Sequence, residues 1–411
     1  MAAHERHEET AIESSFVWRR PPILRTDEGP DGERHATWLE LFFDLVYVVA
    51  VAELAHLLHE NLTVAGFLQF AFLFLPVWWA WTWFSYYADQ FDTDDLPHRL
   101  ATVAAMFGTI VLALTVHDAF HGGSAAFALA YAALRVLTIG LYVRAWRNVP
   151  EARELVTRFI AGFSIATALW LLSVFVAEPA RFIMWGVALV ISLATAPLSY
   201  VTTRHVPAQV SHMPERFGLF VIIVLGESIV AVAAGVADIE WQQIGVITAG
   251  AGFLMAVCMW WLYFERADPT VISQSVRGGR RELLVSHVYG WSHYLIYAGI
   301  GAAAVGLLAA IEASETGVLT FGGRLALCGG VVLFLLGAAA NHWAAPRSIP
   351  HRVLAARLVV AALVTLLLFV GVLPAVVLVA LVTLLLAGLV ASELPRAAGA
   401  PKAVARKQGA S

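Results

Sequence analysis

The sequence predicts an all-α, polytopic integral membrane helix bundle of about twelve spans. Three observations carry this. Of the 411 residues, 60% are hydrophobic and only 14% charged, against about 25% charged in a soluble domain. The mean hydropathy is +0.74. The apolar runs recur at a length of roughly 20 residues, which a helix needs to cross a hydrocarbon core about 30 Å thick.

Taken in order, the spans are expected near residues 39–59, 65–87, 99–117, 124–146, 155–177, 181–203, 216–236, 242–264, 283–311, 319–343, 352–371 and 374–392. Before them, residues 1–37 are polar and mixed in charge, and the first apolar run carries Glu40, Asp44 and Glu53, which a signal peptide would not. This arm is expected to be disordered and cytoplasmic. The transmembrane domain covers 38–395, and residues 396–411 form a cytoplasmic tail. With the amino terminus inside, 22 of the 26 Lys and Arg fall in inner segments, so the excess of basic residues in cytoplasmic loops places both termini inside. The outer connections are short and leave no room for an extramembrane domain.

A faint internal symmetry appears as well. Trp81, Phe84, Ala88 and Asp89 are echoed by Trp260, Tyr263, Ala267 and Asp268, and Glu53 has the offset of Glu227. Two halves, 38–203 and 215–392, would account for it, as in transporters built from repeated bundles. Shared helix-end and aromatic-belt composition is the competing explanation.

Composition excludes several classes. A net charge of -4 with no compact Lys/Arg stripe argues against a nucleic-acid partner. Cys258 and Cys328 form no CxxC pair, and no metal or cofactor motif is visible.

The residues that lipid should have excluded point to chemistry. Glu227, in FVIIVLGESIVAV, is expected near the bilayer midplane, where a carboxylate must be protonated, paired or hydrated. By depth its expected partner is Arg135, and Gly226 and Ser228 would offer close helix approach and a hydroxyl. Glu40 and Asp44 share one helical face near the cytoplasmic end, and Glu53 and His56 form a second pair further in. His293, in SHVYGWSHYLIY, is a candidate proton relay, and a satisfied interhelical hydrogen bond is the plainer role. His117 and Asp118 read as a hydrated rim. The acidic run ADQFDTDD, with Asp89, Asp92, Asp94 and Asp95, lacks the spacing of a calcium loop and is expected to be a solvated acidic loop that pairs with the basic loops at 144–158 or 277–281. The last two spans, beyond Arg357, read as scaffold or as a lipid-facing or dimer surface.

Three stretches, LELFFDLVYV, FDTDD and ERFGLFVIIVLGES, together resemble the bacterial low temperature requirement protein A family, over about residues 37 to 395. The resemblance implies a bacterial inner-membrane protein named for a growth phenotype in the cold, and it brings no biochemical activity with it. It marks Glu40, Phe43, Asp44, Asp92, Asp94, Asp95, Glu215, Arg216, Gly226, Glu227 and Ser228 as family-pattern positions.

The functional expectation is a secondary transporter or ion-translocating protein acting on an unknown small solute or ion, among membrane lipids and with homo-oligomerisation open. Its candidate ion-, substrate- or proton-handling residues are Glu227, Arg135, Glu53, His56, Asp44 and His293. An intramembrane lipid-modifying enzyme is the alternative, with His117 and Asp118 or His293 as acid and base, though no nucleophile–base motif supports it. A membrane sensor or scaffold in cold adaptation is a third.

Overall fold

A computed structural model describes residues 18–25, 37–203, 213–238, 242–265, 280–313, 317–344 and 351–394. Most of the amino-terminal arm, the tail 396–411, and Ala267 and Asp268 of the suspected repeat lie outside the described residues, as do the side chains of Asp92 and of the basic loop at 277–281.

Among the described residues, twelve helices are long and apolar enough to cross a membrane. They are α1 (Trp38–Glu60), α2 (Val64–Gln90), α3 (Leu96–Leu114), α4 (Ser124–Asn148), α5 (Pro150–Ser173), α6 (Ala180–Thr202), α7 (Met213–Ala237), α8 (Gln243–Phe264), α9 (Val285–Glu312), α10 (Phe321–Ala344), α11 (His351–Phe369) and α12 (Ala375–Glu393). Every expected span is present, with its ends moved by a few residues. One shift has a local cause: α3 starts at Leu96 rather than 99 because the Asp95 carboxylate caps it, accepting from the His98 N–H, with Pro97 in the first turn.

The start of α1 is also built by its own sequence. Thr37 and Glu40 form a capping box: the Glu40 carboxylate accepts from the Thr37 N–H at 2.8 Å, and Thr37 Oγ1 accepts from the Glu40 N–H at 3.3 Å. Two otherwise unsatisfied amides at the helix end are thereby satisfied. The spacing T-x-x-E before an apolar run is the signal that identifies this, and it gives Glu40 a local role besides its place on one helical face with Asp44.

By contacts the chain groups into two compact units, which trade segments between the sequential halves 38–203 and 215–392. The first takes residues 1–54, 72–223 and 269–287, and the second takes 55–71, 224–268 and 288–411. In the first unit α3, α4, α5 and α6 pack successively on one another. Its interior is unusually aromatic, with Trp78, Trp81, Trp170 and Trp185 among the largest fully buried side chains. Within the arm expected to be disordered, residues 18–25 also have a place here. Ile23–Leu24 (β1) pairs antiparallel with Phe91–Asp92 (β2), the connection between α2 and α3.

In the second unit α12 packs on α8, and α11 on α10 and α12. The crossing of α9 and α10 is set by glycine. Gly299 and Gly306 on α9, and Gly330 on α10, each meet backbone of the opposing helix where a Cβ would stand. Their absent side chains let the two backbones approach, the usual device where lipid supplies no hydrophobic drive between helices.

A buried ion pair, a polar strap and two unpaired carboxylates

Asp44 and Arg216 form the best-built charged site of the first unit. Both are buried, although 172 residues separate them in sequence. Arg216 Nη2 donates to Asp44 Oδ1 at 2.5 Å and its Nε to Oδ2 at 3.3 Å, a forked arrangement. Trp81 Nε1 donates to the same carboxylate at 2.7 Å. Aromatic rings close the pair off: the guanidinium lies 5.9 Å from the Phe43 ring and 5.8 Å from that of Trp81. Phe43 stacks on Phe84 with centroids 4.5 Å apart, and Phe220 stacks on Trp81 at 4.6 Å. Two of the three family-like stretches, LELFFD and ERFGLF, thus meet at one ion pair, and α2 supplies its third hydrogen bond. Asp44 therefore pairs with Arg216, while Glu215 beside it is exposed.

The third stretch, FDTDD, builds a polar strap. Asp95 accepts from the Arg20 N–H at 2.9 Å, from the His98 N–H at 3.1 Å and from Arg144 at 2.6 Å. Arg144 also donates to the Arg20 carbonyl. Asp94 pairs with Arg99 at an exposed position, and Asp89 with Arg25. The expected pairing with the basic loop is met by Arg144, but Asp95 is fully buried rather than solvated. Burial pushes its carboxyl up, and the three hydrogen-bonding partners outweigh this and hold it below the ordinary carboxylate range. A depressed folded value stabilises the protein fully above the unfolded value, about 3.9, and the stabilisation is lost as pH falls through the folded value. Asp95→Asn should therefore cost on the order of 1–3 kcal/mol near neutral pH. The gap between the two melting temperatures should stay constant above about pH 5 and close as the pH falls below about 4. A gap independent of pH would show that the carboxylate contributes nothing.

Arg135, placed midway along α4, is 1% exposed and stacks on Phe163 with 4.4 Å from Cζ to the ring centroid. Its Nη1 and Nη2 are buried without a hydrogen-bond partner among the described residues. Its surroundings within its own unit are aromatic and hydroxylic, where depth alone had pointed to a carboxylate on α7.

Glu227 belongs to the second unit. It is half-buried, and Gly226 and Val230 beside it are exposed, so the carboxyl stands at an open edge of that unit. Gly226 has nothing within 4 Å of where a Cβ would be, so it supports no close helix approach. Ser228 turns its hydroxyl back to the Val224 carbonyl at 3.0 Å and lines a cavity of about 30 Å³ with Leu225, Gly252, Met255 and Leu307. That cavity is apolar, and Glu227 does not line it.

The expected second pair on α1 is also redistributed. His56 is exposed and reaches Glu60 at 3.2 Å, while Glu53 is half-buried. Three carboxylates lie at least six residues from either end of their spans: Asp44, Glu53 and Glu227. Asp44 is paired, whereas Glu53 and Glu227 have no ion pair or hydrogen bond among the described residues.

His293, fully buried in the second unit, is saturated with hydrogen bonds. Its Nδ1 faces the Tyr289 carbonyl at 2.8 Å, which can only accept, so Nδ1 carries the proton. Nε2 then accepts from the Tyr263 hydroxyl at 2.9 Å and from Asn341 Nδ2 at 3.3 Å. His117 and Asp118 are exposed in a short turn after α3. Arg357, read as an isolated polar residue in scaffold, instead binds Glu393 bidentately and the carbonyls of Leu262 and Ala338. A carboxylate near the end of the next span was its sequence signal.

Comparison with known proteins agrees with the geometry of these stretches. No solved structure matches the chain. An uncharacterized protein of Rhizobium meliloti (strain 1021) is 28% identical over 347 residues, which cover 79% of this chain and 84% of that protein. Residues 35–391, which include both ends of the Asp44–Arg216 pair and the Asp95 strap, match the family described as bacterial low temperature requirement A protein. This multi-pass membrane protein belongs to the bacterial low temperature requirement A family.

Proposed function

We propose that the protein is a secondary transporter or ion-translocating protein of the bacterial inner membrane, and that Glu227 is the group that gains and loses charge. The observation that carries this reading is the division among the interior carboxylates. A charged carboxylate that only fixes helix register is neutralised by a partner, as Asp44 is by Arg216. Glu227 has none among the described residues, and it is only half-buried. Intramembrane carboxylates of this kind are costly to keep, and they mark ion pathways. Glu53, the other unpaired interior carboxylate, is the second candidate on the same argument.

Because Glu227 has no partner cation, Glu227→Gln should fold normally, within about 1 kcal/mol of wild type, since no buried charge is stranded. In proteoliposomes carrying a pH-sensitive dye, flux driven by an imposed ion gradient should fall at least about tenfold, which corresponds to about 1.4 kcal/mol on the rate-limiting barrier. Full flux by a correctly folded Glu227→Gln protein would remove Glu227 from the mechanism.

The proposed orientation has both termini in the cytoplasm, from the distribution of Lys and Arg. Reporter fusions at residues 90, 150, 208 and 275 should read cytoplasmic, and those at 62, 121, 238 and 315 external. Two or more reversed sites would overturn the map.

A further inference from the structure

We propose that the interior of the first unit holds a binding site for one small, weakly hydrated monovalent anion, centred on Arg135. This site is separate from Glu227 and does not depend on transport.

The argument begins with charge. A guanidinium stays protonated in proteins, and this one is buried with both terminal nitrogens unpartnered. An uncompensated buried ion is strongly disfavoured, and the stacking on Phe163 offsets only part of that cost. Among the described residues the unit's buried carboxylates are already taken, Asp44 by Arg216, Asp95 by Arg144 and Asp89 by Arg25.

The neighbouring groups are donors too. Tyr131 and Tyr142 lie four residues before and seven after Arg135, which puts all three on one face of α4. Among the described residues both hydroxyls are buried without a partner, as are the indole N–H groups of Trp170 and Trp83. The rings fall into two groups: Trp83 is 4.5 Å from Phe163 and 6.1 Å from Tyr142, and Tyr131 is 4.6 Å from Trp170. The Arg135 guanidinium, the Tyr142 ring and the Trp83 indole gather around Phe163, with Tyr131 and Trp170 toward the other end of the same helix pair. Unsatisfied buried polar groups are rare in native proteins, and several in one cluster point to a missing partner. That partner must accept hydrogen bonds and carry one negative charge. Since the donor atoms are buried, the ion has to shed its water, which favours bromide or nitrate and disfavours sulfate and phosphate. A trapped water would answer the hydrogen bonds but leave the charge, and it is the competing explanation.

Thermal unfolding of the full-length protein in neutral detergent separates these. Sodium bromide or nitrate is titrated into a sulfate buffer at constant ionic strength, with wild type, Arg135→Met and Tyr142→Phe in parallel. The expected result is a saturable rise in the wild-type melting temperature that Arg135→Met lacks. In Tyr142→Phe the half-saturating concentration should rise about three- to tenfold, as loss of one hydrogen bond to a charged group predicts. No saturable response in wild type, or the same response in Arg135→Met, would mean a water only and overturn the site. If Arg135→Met does not fold, an unchanged half-saturating concentration in Tyr142→Phe overturns it instead.

Discussion

Asp44→Ala should destabilise the protein by about 3–5 kcal/mol, the cost of leaving one member of a buried ion pair without the other. The geometry makes this site a severe case. Arg216 is buried, its Nη1 has no partner among the described residues, and the rings of Phe43 and Trp81 beside it offer nothing that accepts a hydrogen bond as a carboxylate does. Trp81 Nε1 would lose its acceptor in the same step. Asp44→Asn should cost less than Asp44→Ala, because the amide oxygen still accepts, yet it leaves the charge uncompensated. The double variant Asp44→Ala/Arg216→Met should regain most of the loss, since two apolar side chains are tolerated where one stranded ion is not. Asp94→Ala, which removes the exposed pair with Arg99, should cost less than about 1 kcal/mol. Unfolding in a graded denaturing detergent, with the four variants side by side, reads these differences. A double variant no more stable than Asp44→Ala would show that the aromatic packing around the pair, and not its charge balance, sets the cost.

The spans were legible because bilayer thickness fixes their length and polar residues interrupt them, so composition over a window of some 20 residues is enough. The caps were legible too, had T-x-x-E at Thr37 to Glu40 been read as a capping box and Asp95 before Leu-Pro-His as an N-cap. Partnership was not. Depth along a helix can be counted from the sequence, but the rotation of a helix and the neighbours it acquires come from packing between segments far apart in the chain. Arg135 and Glu227 have similar depth and belong to different units, whereas Asp44 and Arg216 are joined across 172 residues by the fold alone. Gly226 illustrates the same limit. A glycine next to a carboxylate suggests close helix approach, but here the close approaches are made by Gly299, Gly306 and Gly330, whose spacing in sequence carries no mark of which helix they face.

Arg357→Ala should be comparably damaging in the second unit, again by about 3–5 kcal/mol, and for a reason beyond charge. The guanidinium joins three other helices: it donates to the Glu393 carboxylate of α12 through Nε and Nη2, to the Leu262 carbonyl of α8 and to the Ala338 carbonyl of α10. Backbone carbonyls within a helix already accept one bond, so those two lose a second donor at modest cost, while Glu393, 6% exposed, loses a bidentate pair with a cation. The carboxylate is therefore the dominant loss. Lysine cannot restore it, since a single ammonium group has no planar fork to meet both carboxylate oxygens and two carbonyls on separate helices. Arg357→Lys should accordingly recover less than half of the lost stability. Glu393→Gln is the informative companion: the amide oxygen still accepts from the guanidinium, so the cost should be nearer 1.5–3 kcal/mol, that of one charge-assisted hydrogen bond. The order Glu393→Gln, then Arg357→Lys, then Arg357→Ala in rising cost follows from a carboxylate-centred staple. If Arg357→Ala and Glu393→Gln cost the same, the carbonyls of α8 and α10 contribute nothing, and the arginine holds α11 to α12 alone.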